Sequence, residues 1–126
     1  MSELTYRVVV AAGSRRSLVW LGGDLKTPPL SPAARVEAGV LLRLLQEGEH
    51  VGMPHSRVMP SIGPRCHELR VTDREQAWRV IYRVDPDAVV ILEVFSKKSR
   101  TTPEDVIQTC HRRLAAYDRA AKGRRS

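Results

Sequence analysis

"RCHELRVTDREQAWRVIYRVDPDAVVILEVF", residues 65–95, contains three runs rich in strand-forming residues, separated by two short polar breaks. "RCHELRV" (65–71) and "AWRVIYRV" (77–84) are joined by the polar segment 72–76. "AWRVIYRV" and "AVVILEVF" (88–95) are joined by "DPD". Breaks this short fit antiparallel neighbours, so the stretch predicts a three-stranded meander. The last run is apolar on both faces, as expected of a central strand covered on both sides.

Downstream, "SKKSRTTPEDVI" (96–107) ends that strand in charge and then starts a helix. Thr102 is a cap, Pro103 a first-turn proline, and Asp105 an acid near the positive end of the helix dipole. Val106, Ile107, Cys110, Leu114 and Tyr117 then form an apolar stripe. Upstream, "SLVWLGG" (17–23) reads as the first strand, and Pro28 and Pro29 break regular structure after it. Ser31 and Pro32 open another helix. Its expected buried face is Val36, Val40, Leu41, Leu44 and Leu45, with Arg35, Glu37, Arg43 and Gln46 pointing away and Gly48 ending it. Residues 49–64 form a connection long enough to expect a functional or specially packed segment.

The expected fold is α+β: a small, mostly antiparallel sheet, made of an N-terminal strand plus the meander, with two main helices. At 126 residues the chain has the size of one domain. We expect an extension over 1–15, whose "TYRVVVAAG" can add an edge strand, a domain over 16–121, and a basic tail over 122–126 that frays. Cys66 and Cys110 lack zinc or disulfide-framework spacing, so neither metal nor cofactor is expected. The one apolar N-terminal stretch is shorter than a membrane span, which points to a cytoplasmic protein with no membrane partner.

A net charge of +7 directs attention to polyanions. Alternation puts Glu68 and Arg70 on one strand face and His67, Leu69 and Val71 on the other, while Arg79 and Arg83 point away from Trp78, Val80 and Tyr82. If Val71 pairs with Trp78, Arg70 lies directly across from Arg79. Opposed like charges cost a few tenths to roughly 1 kcal/mol unless an anion bridges them. Lys97, Lys98 and Arg100 leave the neighbouring strand end, so five cations from three strands would converge on a site suited to a phosphodiester. Solvated arginines paired with Glu68 or Glu93 are the competing reading. His67 is a candidate proton carrier beside the cluster, although its parity with Leu69 equally fits a core-facing ring. His50, His55 and His111 read as surface or capping residues. Trp20, Trp78, Tyr82 and Cys110 read as core.

"PSIGPRCHELR", "WRVIYRV" and "VFSKKSRTTPEDVI" together resemble the RelE/ParE superfamily of toxin-antitoxin toxins, and most nearly its HigB-like, phage-derived branch. "WLGGDLKTPP" resembles the N-terminal part of the same branch, so the similarity covers roughly residues 17–118. The resemblance implies a RelE-like fold and a metal-independent endoribonuclease that cuts messenger RNA on the ribosome and inhibits translation. It implies a cognate antitoxin, usually a helix-turn-helix DNA-binding protein, through which alone operator DNA is met.

By motif position, the resemblance gives Arg79 the scissile phosphate and Arg70, Lys97 and Lys98 supporting basic positions. Arg83 and Arg100 are left as RNA-binding candidates. Glu68 stands where RelE has a basic residue, and Val106 and Ile107 stand near where a proton-transferring tyrosine or histidine is often found. Proton transfer is therefore open between His67, a lysine of depressed pKa, or no residue at all. Two rival functions are a ParE-like inhibitor of DNA gyrase without nuclease activity, and a degenerate, non-toxic relative that only binds its partner or RNA.

Overall fold

The computed structural model describes residues 7–9, 16–22, 30–73, 76–97 and 101–125. In chain order the elements are β1 (Arg7–Val9), β2 (Ser17–Trp20), α1 (Pro32–Gln46), β3 (Ser56–Val58), β4 (Cys66–Asp73), β5 (Gln76–Val84), β6 (Ala88–Ser96) and α2 (Glu104–Arg125). The described strands form one sheet in the order β1-β2-β6-β5-β4-β3. The α+β architecture with its meander and two helices is the one expected. β3, a short edge strand inside the long connection, is an addition to it.

Among the described strands, only β2 and β6 run parallel. Between them lie α1, β3 and two strands of the meander, enough chain for the crossover a parallel pair requires. β1 lies within the expected extension and pairs antiparallel with β2. The remainder of 1–15 is outside the described residues. α2 continues to Arg125, so the segment expected as a tail from 122 lies largely within the helix.

α1 begins where Ser31, in an extended conformation, accepts a hydrogen bond from the Ala34 amide on its side chain. The Ser31 amide in turn donates to Asp73 Oδ2 at 2.8 Å, tying the helix start to the end of β4. Beyond the C-cap, Gly48 has φ 89°, a left-handed conformation that only glycine adopts without steric cost.

The face α1 lays on the sheet differs from the one expected. Ala34, Ala38, Leu41, Leu42 and Leu45 are buried against Leu69, Val71, Trp78, Val80, Tyr82, Val89 and Ile91. Val36 and Val40 are 66% and 55% exposed. The two small alanines let the helix backbone approach the sheet, which turns the larger valines outward.

α2 covers the opposite face. Cys110 and Leu114 pack with Cys66, Ile81, Val90 and Leu92, and Val106, Ile107 and Tyr117 pack partly against them. The two cores explain why β6 is apolar on both faces.

The β4–β5 register places Val71 opposite Trp78 and Arg70 opposite Arg79. Between β5 and β6, Ile81 pairs with Glu93 but Tyr82 pairs with Ile91, so Leu92 is an extra residue in β6. This bulge puts Leu92 and Glu93 successively on the α2 face. Arg113 of α2 secures it, donating to the Leu92 carbonyl and pairing with Glu93 at 3.2 Å.

Candidate functional site

Beyond the N-terminal end of α2, the sheet face carries charge in place of apolar packing. Arg57 on β3 sits opposite Glu68 on β4, and Arg70 on β4 sits opposite Arg79 on β5. Lys97 follows β6, fixed by its amide donating to the Ala77 carbonyl at 2.7 Å. The Leu92 bulge gives Lys97 the same facing as Arg79.

Glu68 is the centre of this cluster and has no solvent exposure. Its Oε1 accepts from Arg57 Nε at 3.0 Å and Lys97 Nζ at 3.2 Å, while Oε2 accepts from the Thr102 hydroxyl at 2.7 Å. Arg79 Nε lies 3.5 Å from the same Oε1. Burial raises the Glu68 pKa. The Thr102 hydrogen bond together with Lys97 and Arg57 outweighs that effect, so it falls below its ordinary value and the carboxylate is held ionised.

Lys97 is pushed down by burial, with Glu68 opposing. Its side chain is only 3% exposed, so its ammonium serves Glu68 directly.

Arg79 is also nearly enclosed. Its Nη1 donates to the Trp78 carbonyl at 2.9 Å, and its buried Nε, although within ion-pair distance of Glu68, has no hydrogen-bond partner among the described residues. Burial, then the nearby Arg70, lowers its pKa. Arg70 is half-buried, and among the described residues its side chain has no ion pair. Arg57 exposes 36% of its side chain. Arg57, Arg70 and Thr102 are thus the parts of the cluster in contact with solvent.

Three of the residues expected from sequence, Arg70, Arg79 and Lys97, share this face. Lys98 and Arg100 lie outside the described residues. His67 points to the α1 face instead, stacked on Tyr82 with ring centroids 5.3 Å apart, because strand parity groups it with Leu69 and Val71. Burial, then His50, lowers its pKa.

Arg83 shares the facing of Arg79 but lies towards the other end of the strand. It is bound to Asp85 at 2.8 and 2.9 Å and to Asp118 of α2 at 3.0 and 2.8 Å. Those two carboxylates engage it fully, which makes it a clamp between sheet and helix.

Sequence reasoning missed the central role of Glu68, together with Arg57 and Thr102. The exception to the basic pattern at Glu68 was the available signal. Arg57 had none, because β3 lay hidden in the long connection. His55 was also set aside. The Arg70 amide donates to the His55 carbonyl at 2.7 Å, which continues the β3–β4 ladder and puts His55 opposite Arg70 in register, with an exposed ring.

Cys66 and Cys110 are free and buried, and burial, then Glu93, pushes the Cys110 thiol up to about 12. Among the described residues, no three His, Cys, Asp or Glu side chains group as metal ligands, and no helix is long and apolar enough to cross a membrane. Chemically, the face can bind an anion and stabilise added negative charge on it.

The family described as "Phage derived protein Gp49-like (DUF891)" has a model that matches residues 28–115, well over half of the chain. No curated protein and no solved structure matches the chain.

Proposed function

The chain belongs to the phage-derived Gp49-like family, and on that premise we propose that it is the toxin of a toxin-antitoxin pair, acting as a ribosome-dependent endoribonuclease on messenger RNA. The observation that carries the reading is Arg79: a nearly buried guanidinium whose Nε, though within ion-pair distance of Glu68, has no hydrogen-bond partner among the described residues, faced across the ladder by Arg70. Such a pair is unfavourable alone and favourable around an anion.

An RNA phosphate meets Arg57 and Arg70 first, with Arg79 behind them and Lys97 contributing its field from within. The 2′-oxygen then forms a bond to phosphorus as the bond to the 5′-oxygen breaks. One proton leaves the 2′-hydroxyl and another reaches the departing oxygen. Extra negative charge on the phosphoryl oxygens in the transition state strengthens every cationic contact, which is how this face accelerates the step. His55, exposed and opposite Arg70 in register, is better placed than His67 to move a proton. An antitoxin that lays acidic groups over Arg57 and Arg70 would block the site, and a helix-turn-helix partner fits the resemblance.

Induced expression is expected to arrest growth and produce new 5′ ends within translated messages. Arg79→Ala should relieve the arrest while the purified variant melts cooperatively. A fully toxic, folded Arg79→Ala protein overturns the site assignment. Intact messages alongside double-strand DNA breaks would point to gyrase as the target.

A further inference from the structure

A fully buried carboxylate in the middle of a cationic face is an expensive feature. If Glu68 only reduced net charge, a surface position would do so without the desolvation cost. Its contacts show a different use. Arg57 comes from β3, Arg79 from β5, Lys97 from the end of β6, and Thr102 from just before the start of α2. Glu68 itself is on β4, so one carboxylate joins five successive parts of the chain.

It takes Arg57 through Nε, at the root of the guanidinium, and among the described residues the two terminal nitrogens have no partner. Long basic side chains lose about 2 kcal/mol of rotamer freedom when fixed. Cations left close together without a counterion would splay apart. Both oxygens of Glu68 are occupied and neither meets solvent, so it is not placed to exchange a proton with a substrate.

We propose that Glu68 is the positioning residue of this face: its carboxylate fixes Arg57, Arg79, Lys97 and Thr102 in one arrangement around an RNA phosphate, and it transfers no proton. The inference rests on the RNA-cleaving reading above for its catalytic consequence, and on the geometry alone for its binding consequence.

Two variants separate position from charge. Thr102→Val leaves charge unchanged and cuts one link. Glu68→Gln raises the net positive charge of the face by one while preserving side-chain shape. Binding of a single-stranded oligoribonucleotide is measured across a salt series, and cleavage of messenger RNA on programmed ribosomes is measured as saturating rate and KM.

Positioning requires that Thr102→Val weaken oligonucleotide binding threefold or more and flatten the slope of log affinity against log salt, because fewer cations meet the phosphate together. Glu68→Gln should flatten the slope too, despite its added positive charge. It should also lower the saturating cleavage rate at least tenfold with a smaller change in KM and an unchanged shape of the pH profile. Wild-type slopes and affinity in Thr102→Val overturn the inference, even if Glu68→Gln fails to fold. Loss of the acid limb of the pH profile in Glu68→Gln also overturns it, since that would make Glu68 a base. Should the wild-type protein bind RNA without cutting it, the nuclease reading fails while the binding shifts still decide the role of Glu68.

Discussion

Arg70 and Arg83 are one residue type with opposite surroundings, and they should fail in opposite ways. Arg83 is buried against Asp85 and also held by the half-exposed Asp118. Arg83→Ala should therefore destabilise the fold by about 2–3 kcal/mol in urea titration, below the range for a wholly buried pair, and leave RNA affinity per folded molecule unchanged. Arg70→Ala, which removes a side chain without an ion pair among the described residues, should shift stability by less than about 0.5 kcal/mol and weaken RNA binding. The titrating residues set a second expectation. The folded pKa of His67 is lowered below its ordinary 6.5, so its contribution to stability is whole above that value and is lost as pH falls through the folded one. The folded pKa of Glu68 is lowered below 4.5, so its contribution persists further and is lost only in stronger acid. Urea midpoints measured against pH should decline in two stages. His67→Phe, which keeps a ring on Tyr82, should remove the first stage and leave the second. Arg70 and Arg79 were legible from strand alternation because their pairing is local. The hub at Glu68 was not, since its partners Arg57 and Thr102 arrive from segments whose approach is fixed only in three dimensions.

Among the elements, α1 shows how a helix can be read correctly in extent and wrongly in phase. Its cap at Ser31 and its stop at Gly48 are carried by local chemistry. Its inner face is not, because alanine, valine and leucine occur all round it, and the three-and-four spacing that favoured Val36 and Val40 fits more than one face. The close approach of Ala34 and Ala38 to the sheet decides the matter. Ala38→Leu should accordingly cost about 1–3 kcal/mol through overpacking, whereas Val40→Lys should stay within about 0.5 kcal/mol of wild type, both by thermal and urea unfolding. The meander was readable, down to its register, because its breaks are short. β3 was not, since three residues inside a proline-rich connection give too little periodicity to detect.

For the molecule as a whole, the order of strands was the least readable feature. The parallel β2–β6 contact joins segments separated by α1 and most of the sheet, and no local signal specifies it. Net charge directs attention to polyanions but gives no position for one, whereas the fold concentrates Arg57, Arg70 and Arg79 on the end of one face that α2 leaves open. If those three meet three phosphates, the logarithm of affinity for single-stranded RNA should fall with a slope of ~2 against the logarithm of salt concentration, and substitution of Arg57 should reduce that slope by about 0.7. The extra residue in β6 gives this arrangement an unexpected vulnerability. Along a strand, facing is a count of odd and even, and Leu92 changes the count once, midway. Were β6 to pair residue for residue past Ile91, without the bulge, Lys97 would turn to the side of the sheet where α1 lies and leave Glu68 without it. Removing Leu92 itself would instead restore plain alternation and keep Lys97 in place, at the loss of the carbonyl that Arg113 holds. A residue lost or gained between the bulge and Lys97 would shift that count, so lineages of this protein should vary in identity there far more readily than in length.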